Sequence, residues 1–239
     1  MPFTLAHPAA ALPIWYASRR HLRLAALIIG ATTPDYEYFL HLNTVGHFAH
    51  TLPGLVTVCL PAGWLSLWLF DRYGRAGAVR LVPPEWNLPL PSRTPFVSTS
   101  CAILLGALSH IAWDGLTHPD GWGVRVLPQL EWPAYIGPLI VPWFTVLQHV
   151  STILGLIVLA GASLRWVRRQ PSVPASELIR RALLPALFLV VAGVLTGLRF
   201  LPRDPYQFVS SGGVGVTLAF GVGLVILGLL EAEGASESR

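Results

Sequence analysis

Residues 96–118 read FVSTSCAILLGALSHIAWDGLTH, and their reading decides the class of the whole chain. From Phe96 to Thr117 the only acid, base or imidazole side chains are His110 and Asp114. A helix needs roughly 20 predominantly apolar residues to cross the hydrocarbon core, so the stretch predicts a membrane span over 96–117. An imidazole and a carboxylate at membrane depth are costly and ordinarily serve a site. His110 and Asp114 stand at i and i+4, which share one helix face. A single metal ion can therefore take a nitrogen from one and an oxygen from the other.

Working outward, comparable stretches predict spans over 51–70, 144–164, 182–200 and 212–230. The composition agrees: of 239 residues, 53% are hydrophobic and 12% charged, about half the charged share of a soluble domain. Mean hydropathy is +0.58. Two shorter apolar stretches, 3–18 and 22–33, are too short to span and predict a helical hairpin closed by Pro34, since proline disfavours helix in the residue before it. The fold class is therefore all-α: a polytopic helical membrane protein of about five full spans plus an N-terminal short hairpin. Residues 1–165 form the expected metal-site domain. Residues 166–239 add two helices and a polar tail, expected to be loose from Glu231 onward. The Trp- and Pro-rich connection between the second and third spans suits a membrane–water interface.

Several function classes drop out. Nucleic-acid binding needs a broad basic face, whereas the arginines here form short clusters beside apolar segments, where they act as orientation signals. Cys59 and Cys101 lie in apolar runs and read as small buried hydrophobes, with no disulfide framework or cysteine metal site. The N-terminal residues have no secretory-signal pattern. Gly212-Gly213-Val214-Gly215 has no phosphate-loop context and reads as helix-packing surface. No internal repeat is visible.

Loop 71–95 carries Arg72, Arg75, Arg80 and Arg93, and 165–181 carries Arg165, Arg168, Arg169, Arg180 and Arg181. The alternate loops have no Lys or Arg over 34–50, Arg125 alone over 117–143 and Arg203 alone over 201–211. The positive-inside rule puts the arginine-rich loops and the C-terminus in the cytoplasm. On that topology His7, Asp35, His47, His50, His110, Asp114 and His118 all fall at the opposite face, with His149 one to two turns into the third span. Of the eight histidines, only His21 falls clearly on the cytoplasmic side.

This convergence of His and Asp without Cys suits zinc, manganese or iron. A catalytic zinc keeps an open position for water, and the candidates exceed what one ion needs. They suit either two ions about 3.5–4 Å apart or one ion with orienting and acid–base partners. His50, His110 and Asp114 are the first expected ligands, with His7 and Asp35 next. Asp35, His7 and His118 are the candidates for proton transfer or substrate contact. Plainer readings stay open: His110 and Asp114 pairing only with each other, Asp35 shaping a turn, His7 as an interfacial residue, His47 as a loop histidine. His149 is at most a supporting residue, His21 and His41 have no role, and Glu37 and Asp120 are outside candidates.

The opening Met1-Pro2-Phe3-Thr4-Leu5-Ala6-His7-Pro8, Thr33-Pro34-Asp35-Tyr36-Glu37-Tyr38, His50-Thr51-Leu52-Pro53-Gly54 and Ser109-His110 with Trp113-Asp114 and Thr117-His118 together resemble a bacterial membrane family, domain of unknown function 4184. The similarity is expected over most of 1–165, fading in the last two spans. That family in turn resembles the membrane-bound metal-dependent hydrolases of bacterial inner membranes. These share an N-terminal His, a Pro-Asp turn, a His-Thr/Ser helix entry and a His-x-x-x-Asp helix. The resemblance carries over to His7, Asp35, His50, His110 and Asp114. More distantly the pattern is similar to zinc-dependent phospholipases C, from which this chain departs by being mostly membrane-embedded and by lacking a helix-borne His-x-x-x-Glu.

The resulting expectation is a metal-dependent hydrolase, with zinc ahead of manganese or iron. It would act on a lipid-like or phosphoester substrate at the non-cytoplasmic face of a bacterial inner membrane, with membrane lipids as its partners and no nucleic acid. Two other classes fit the same residues: a proton or ion relay through the membrane, and a structural membrane partner whose cluster only holds helices together.

Overall fold

The computed structural model describes residues 4–42, 48–86, 94–198 and 205–237; His47, Arg93 and Arg203 lie outside them. The chain forms two compact units. The first comprises Met1–Tyr36, Gly46–Gly63 and Thr94–Ala162, the second Glu37–Val45, Trp64–Arg93 and Ser163–Arg239.

In the first unit, α1 (Pro8–Ala17) and α2 (Leu24–Gly30) form the short N-terminal hairpin. A 3₁₀ turn, Thr33–Asp35, follows α2, and α3 (Tyr36–His41) belongs to the second unit from Glu37 onward. The helical run α4 (Leu52–Leu81) contains two π-helical turns, and the unit boundary falls inside it, after Gly63. α5 covers Phe96–Thr117, the bounds expected from sequence. A short α6 (Trp122–Val126) and an antiparallel hairpin of β1 (Pro133–Ile136) and β2 (Leu139–Pro142) lead into α7 (Trp143–Val167).

The packing of α2 on α5 is made by glycine. A Cβ on Gly30 would stand 2.2 Å from the Ile103 carbonyl oxygen, and one on Gly106 2.2 Å from that of Leu27. Any larger residue at either position would force the backbones apart. Around this crossing Ala26, Leu27, Ala31, Ala102, Ile103 and Ala107 are buried. Small residues that let backbones approach are how membrane helices gain dispersion energy without a hydrophobic drive between them.

In the second unit α8 (Ala175–Leu198) packs on α9 (Pro205–Glu237), and α9 also packs on the later half of α4. Glycine again sets the distances, Gly77 against the Leu224 carbonyl and Gly228 against that of Tyr73.

Among the described residues five helices are long and apolar enough to cross a membrane. Along α7 and α8 large apolar side chains stay exposed, among them Ile157 at 60% and Leu184 at 73%. Continuous apolar faces of this kind are not stable in water. The chain is thus a polytopic helical membrane protein with about five spans and a short N-terminal hairpin.

Several boundaries differ from expectation. The first span continues as helix to Leu81, through residues expected as loop, because Gly77 and its neighbours pack on α9. The fourth begins at Ala175 and tolerates Pro185 in its interior. The fifth begins at Pro205 and runs to Glu237, so the expected loose tail is helical as far as that residue. The β-hairpin was not expected, although two apolar runs around Gly137-Pro138 carry the signal for one. Cys59 is buried as expected, whereas Cys101 is exposed on α5.

Candidate metal centre

Four separate segments of the first unit deliver the polar residues. His7 closes a 3₁₀ turn, Thr4–Ala6, and caps the start of α1. Asp35 ends the turn after α2. His50 ends the 3₁₀ turn Phe48–His50 that enters α4. His110 and Asp114 lie on α5, and His118 is its C-terminal cap.

Local chemistry orients each side chain. The glycine crossing of α2 and α5 brings the Ala31 carbonyl to 2.8 Å from His110 Nδ1. That carbonyl can only accept, so Nδ1 carries a proton and Nε2 is the nitrogen turned towards the carboxylates. Thr4 Oγ1 donates to Asp35 Oδ2 at 2.5 Å, which leaves Oδ1 facing the histidines. The turn bearing His50 is fastened from both sides. Thr51 Oγ1 donates to the Phe48 carbonyl and accepts from the Gly54 amide, and the Cys59 thiol donates to the Ala49 carbonyl.

The inner ends of these side chains meet. One ligand atom from each of Asp35, His50, His110 and Asp114 lies within 4.8 Å of all the others. Nε2 of His110 is 3.2 Å from Asp114 Oδ2 and 3.4 Å from Asp35 Oδ1. Nε2 of His50 is 3.4 Å from Asp35 Oδ1 and 3.8 Å from Asp114 Oδ2. Ligands held 2.0–2.1 Å from a tetrahedral zinc stand about 3.3–3.4 Å apart, close to three of these separations.

Two further facts fit a cation. Asp35 Oδ1, His110 Nε2 and Asp114 Oδ1 are buried with no hydrogen-bond partner, a condition that costs about 1–3 kcal/mol per group unless something satisfies it. The two carboxylates carry the charge that one divalent ion cancels once the imidazoles are neutral, the state in which they ligate. The group can hold a metal ion, and the pattern is more than a His110–Asp114 pair or an Asp35 turn.

His7 stands on the other oxygen of Asp114, with Nε2 3.4 Å from Oδ1. Its ring stacks on His110 with centroids 3.7 Å apart and meets the edge of Trp113. The imidazole is fully buried, and neither nitrogen has a hydrogen-bond partner. His118 lies at the rim, its Nδ1 3.9 Å from Asp114 Oδ1 and hydrogen-bonded to the Asp114 carbonyl at 3.0 Å. Side-chain exposure rises from 0% at His7, His110 and Asp35 through 9% at Asp114 and 16% at His50 to 28% at His118. The centre therefore opens past His50 and His118.

For the groups outside the five long helices, the charges suit metal binding. Burial, with repulsion from His110, pushes the His7 imidazole down to about 3. Burial also lowers His118, against the pull of Asp114. For Asp35 burial works upward, but the attraction of His110 beside it holds the carboxyl well below its usual range. Neutral imidazoles beside an ionised carboxylate are the states that ligate cations.

Other candidates fall away from the centre. His149 is exposed on α7 and Asp120 is exposed in a turn. Glu37 belongs to the second unit, and His21 sits on an exposed turn beside the Ser18 carbonyl. Two contributors were not anticipated, Thr4 and the Ala31 carbonyl. Thr4 had a legible signal, since it precedes His7 by three residues and so shares one helical turn with it. The Ala31 carbonyl has none, because every residue owns one.

No curated protein and no solved structure matches the chain. One family model does, and it covers residues 1–231, including the last two spans, over which the similarity was expected to fade. With its membrane helices and its His/Asp centre, the chain belongs to the family described as "domain of unknown function (DUF4184)".

Proposed function

We propose that this protein is a membrane-bound metal-dependent hydrolase of the bacterial inner membrane, acting on a lipid-like or phosphoester substrate at the non-cytoplasmic face. The observation that carries the reading is the spacing of Asp35, His50, His110 and Asp114 around a point where buried atoms lack partners. Zinc is the first candidate ion, followed by manganese and iron. Asp35, His50, His110 and Asp114 would hold the ion, and it would supply Lewis-acid activation of water and of a phosphoryl or carbonyl oxygen.

The side chains divide the remaining work. Asp35 and Asp114 supply the negative charge, and Thr4 and the Ala31 carbonyl keep Asp35 and His110 aimed inward. His7, buried 3.4 Å from Asp114 Oδ1, completes the site beside that ligand. His118, at the open rim, is suited to meet the substrate's polar end. A lipid is favoured over a soluble ester by an apolar groove of about 340 Å³ between α1, α5 and α7, lined by Ala9, Pro13, Leu154 and Val158. Trp113 forms part of its wall and also touches His7.

One observation favours a second reading. Four protein ligands close a tetrahedral zinc, the pattern of a structural site. On that reading the ion clasps the α1–α2 hairpin to α5 and no turnover occurs.

Elemental analysis of the detergent-purified protein separates these readings, followed by phosphodiesterase and lipid-hydrolase screens. The hydrolase reading expects one or two equivalents of ion, lost without unfolding in His110→Ala/Asp114→Ala, together with ion-dependent turnover. Bound ion without turnover on any ester moves the structural clasp to first place. No ion, even after reconstitution with excess zinc or manganese, removes both.

A further inference from the structure

Between α5 and α7 lies a feature that the metal centre does not use. β1 pairs with β2 so that Tyr135 faces Ile140 and Ile136 faces Leu139, around a turn with Gly137 at φ +58°. The Trp143 amide donates to the Trp132 carbonyl at 3.1 Å and closes the base of the hairpin. No Asp, Glu, Lys or Arg occurs from Trp132 to Leu164. Tyr135 is 76% exposed and Ile140 67%, and Trp132, Ile136, Leu139 and Trp143 are exposed as well.

Two physical demands act on such a hairpin. Its contiguous apolar surface is driven out of water. Its two open edges, however, carry amides and carbonyls that the sheet does not pair, and lipid-exposed sheet edges do not occur inside the hydrocarbon core. Only the boundary between headgroups and acyl chains meets both demands, and Trp and Tyr favour that level. Connectivity supplies the rest. α7 begins at the residue after β2, so the hairpin is continuous with a helix whose face is already exposed to lipid. No helix long enough to span intervenes between Thr117 and Trp143, so the hairpin lies on the same membrane face as His118.

We propose that the hairpin Pro133–Pro142 is an interfacial docking element, seated in the headgroup–acyl boundary of the leaflet on the metal centre's side and covered by that leaflet's phospholipids. The seating does not depend on hydrolysis, and the test below reads it without any activity.

The full chain, in vesicles of phosphatidylethanolamine and phosphatidylglycerol, is spin-labelled at Ile140→Cys in a Cys101→Ser background. Depth is then read from collisions with oxygen and with a water-soluble nickel chelate. Leu105→Cys in the same background, midway along α5 and exposed, is the hydrocarbon reference, and Asp120→Cys, in the exposed turn, the aqueous one. The expected result lies between the two, with the label about 5–10 Å into the boundary. Its preference for oxygen over nickel should exceed that at position 120 by about tenfold, equivalent to about 1.4 kcal/mol. Nickel accessibility equal to that at position 120 would overturn the proposal, because the hairpin then stands in water. Protection from both colliders with dipolar broadening between labels would overturn it too, showing a second copy on this surface. Tyr135→Cys repeats the measurement on the facing strand should the Ile140 variant not fold.

Discussion

The two units use the same packing device for different ends. In the first, Gly30 and Gly106 bring α2 and α5 into backbone contact; in the second, Gly193, Gly197 and Gly215 do the same for α8 and α9. Beyond the first crossing the next turn of α5 carries His110 and the 3₁₀ turn after α2 carries Asp35, and the close approach sets the Ala31 carbonyl against His110. At the second the neighbours are Val216, Phe208 and Thr196, and the polar contacts of α8 include surface ion pairs of Glu177 with Arg180 and Arg181. Backbone proximity therefore does not make a site. It makes one where the adjoining residues present lone pairs that water cannot reach.

The largest effect that sharpens this contrast is expected from Asp114→Ala. Asp114 approaches His7, His50, His110 and His118, so its loss should weaken ion binding well beyond the roughly 10–100-fold typical of an outer partner, as read by competition with a chelating dye. Next come the glycines. Gly106→Ala drives a methyl into the Leu27 carbonyl and should cost about 1–3 kcal/mol or more, with loss of bound ion. Gly193→Ala meets a movable Val216 methyl at 2.8 Å, so thermal unfolding should shift down while the ion stays. If both variants lose the ion equally, the contrast between the units fails.

Stripping the ion from the wild type should lower stability by about 2.7–4.1 kcal/mol relative to protein at 100–1,000 times Kd, and the same treatment should leave the Asp114→Ala melting curve unchanged. Thr4→Val keeps the shape of the side chain but removes the hydrogen bond to Asp35. An affinity loss of about 10–100-fold with an unaltered circular-dichroism spectrum is expected. The smallest effect is expected from Glu177→Gln, an exposed ion pair, for which neither ion content nor melting should change measurably.

Much of this architecture was legible from residue order. Uncharged runs of sufficient length mark spans whatever their neighbours do, because an unpaired charge in hydrocarbon is costly in any context. His110 and Asp114 were readable as a pair because helical periodicity alone puts them on one face. Helix ends were less legible. The extension of α4 to Leu81 and the helical course beyond Glu231 depend on neighbours that sequence does not name, and the β-hairpin was hidden by prolines that usually signal loop.

Sequence alone therefore determined the membrane class, the number of spans and the pool of polar residues, since each follows from local composition and a fixed helical period. The selection within that pool belonged to the tertiary structure. It set Asp35 and His50 beside His110 and Asp114, moved His7 to the far oxygen of Asp114, left His118 at the rim and excluded His149. The physical reason is that ligation requires atoms within a few ångströms. Here that distance is governed by a glycine crossing and two short turns, joining segments as far apart as Ala31 and His110, 79 residues along the chain, a separation over which residue order carries no distance.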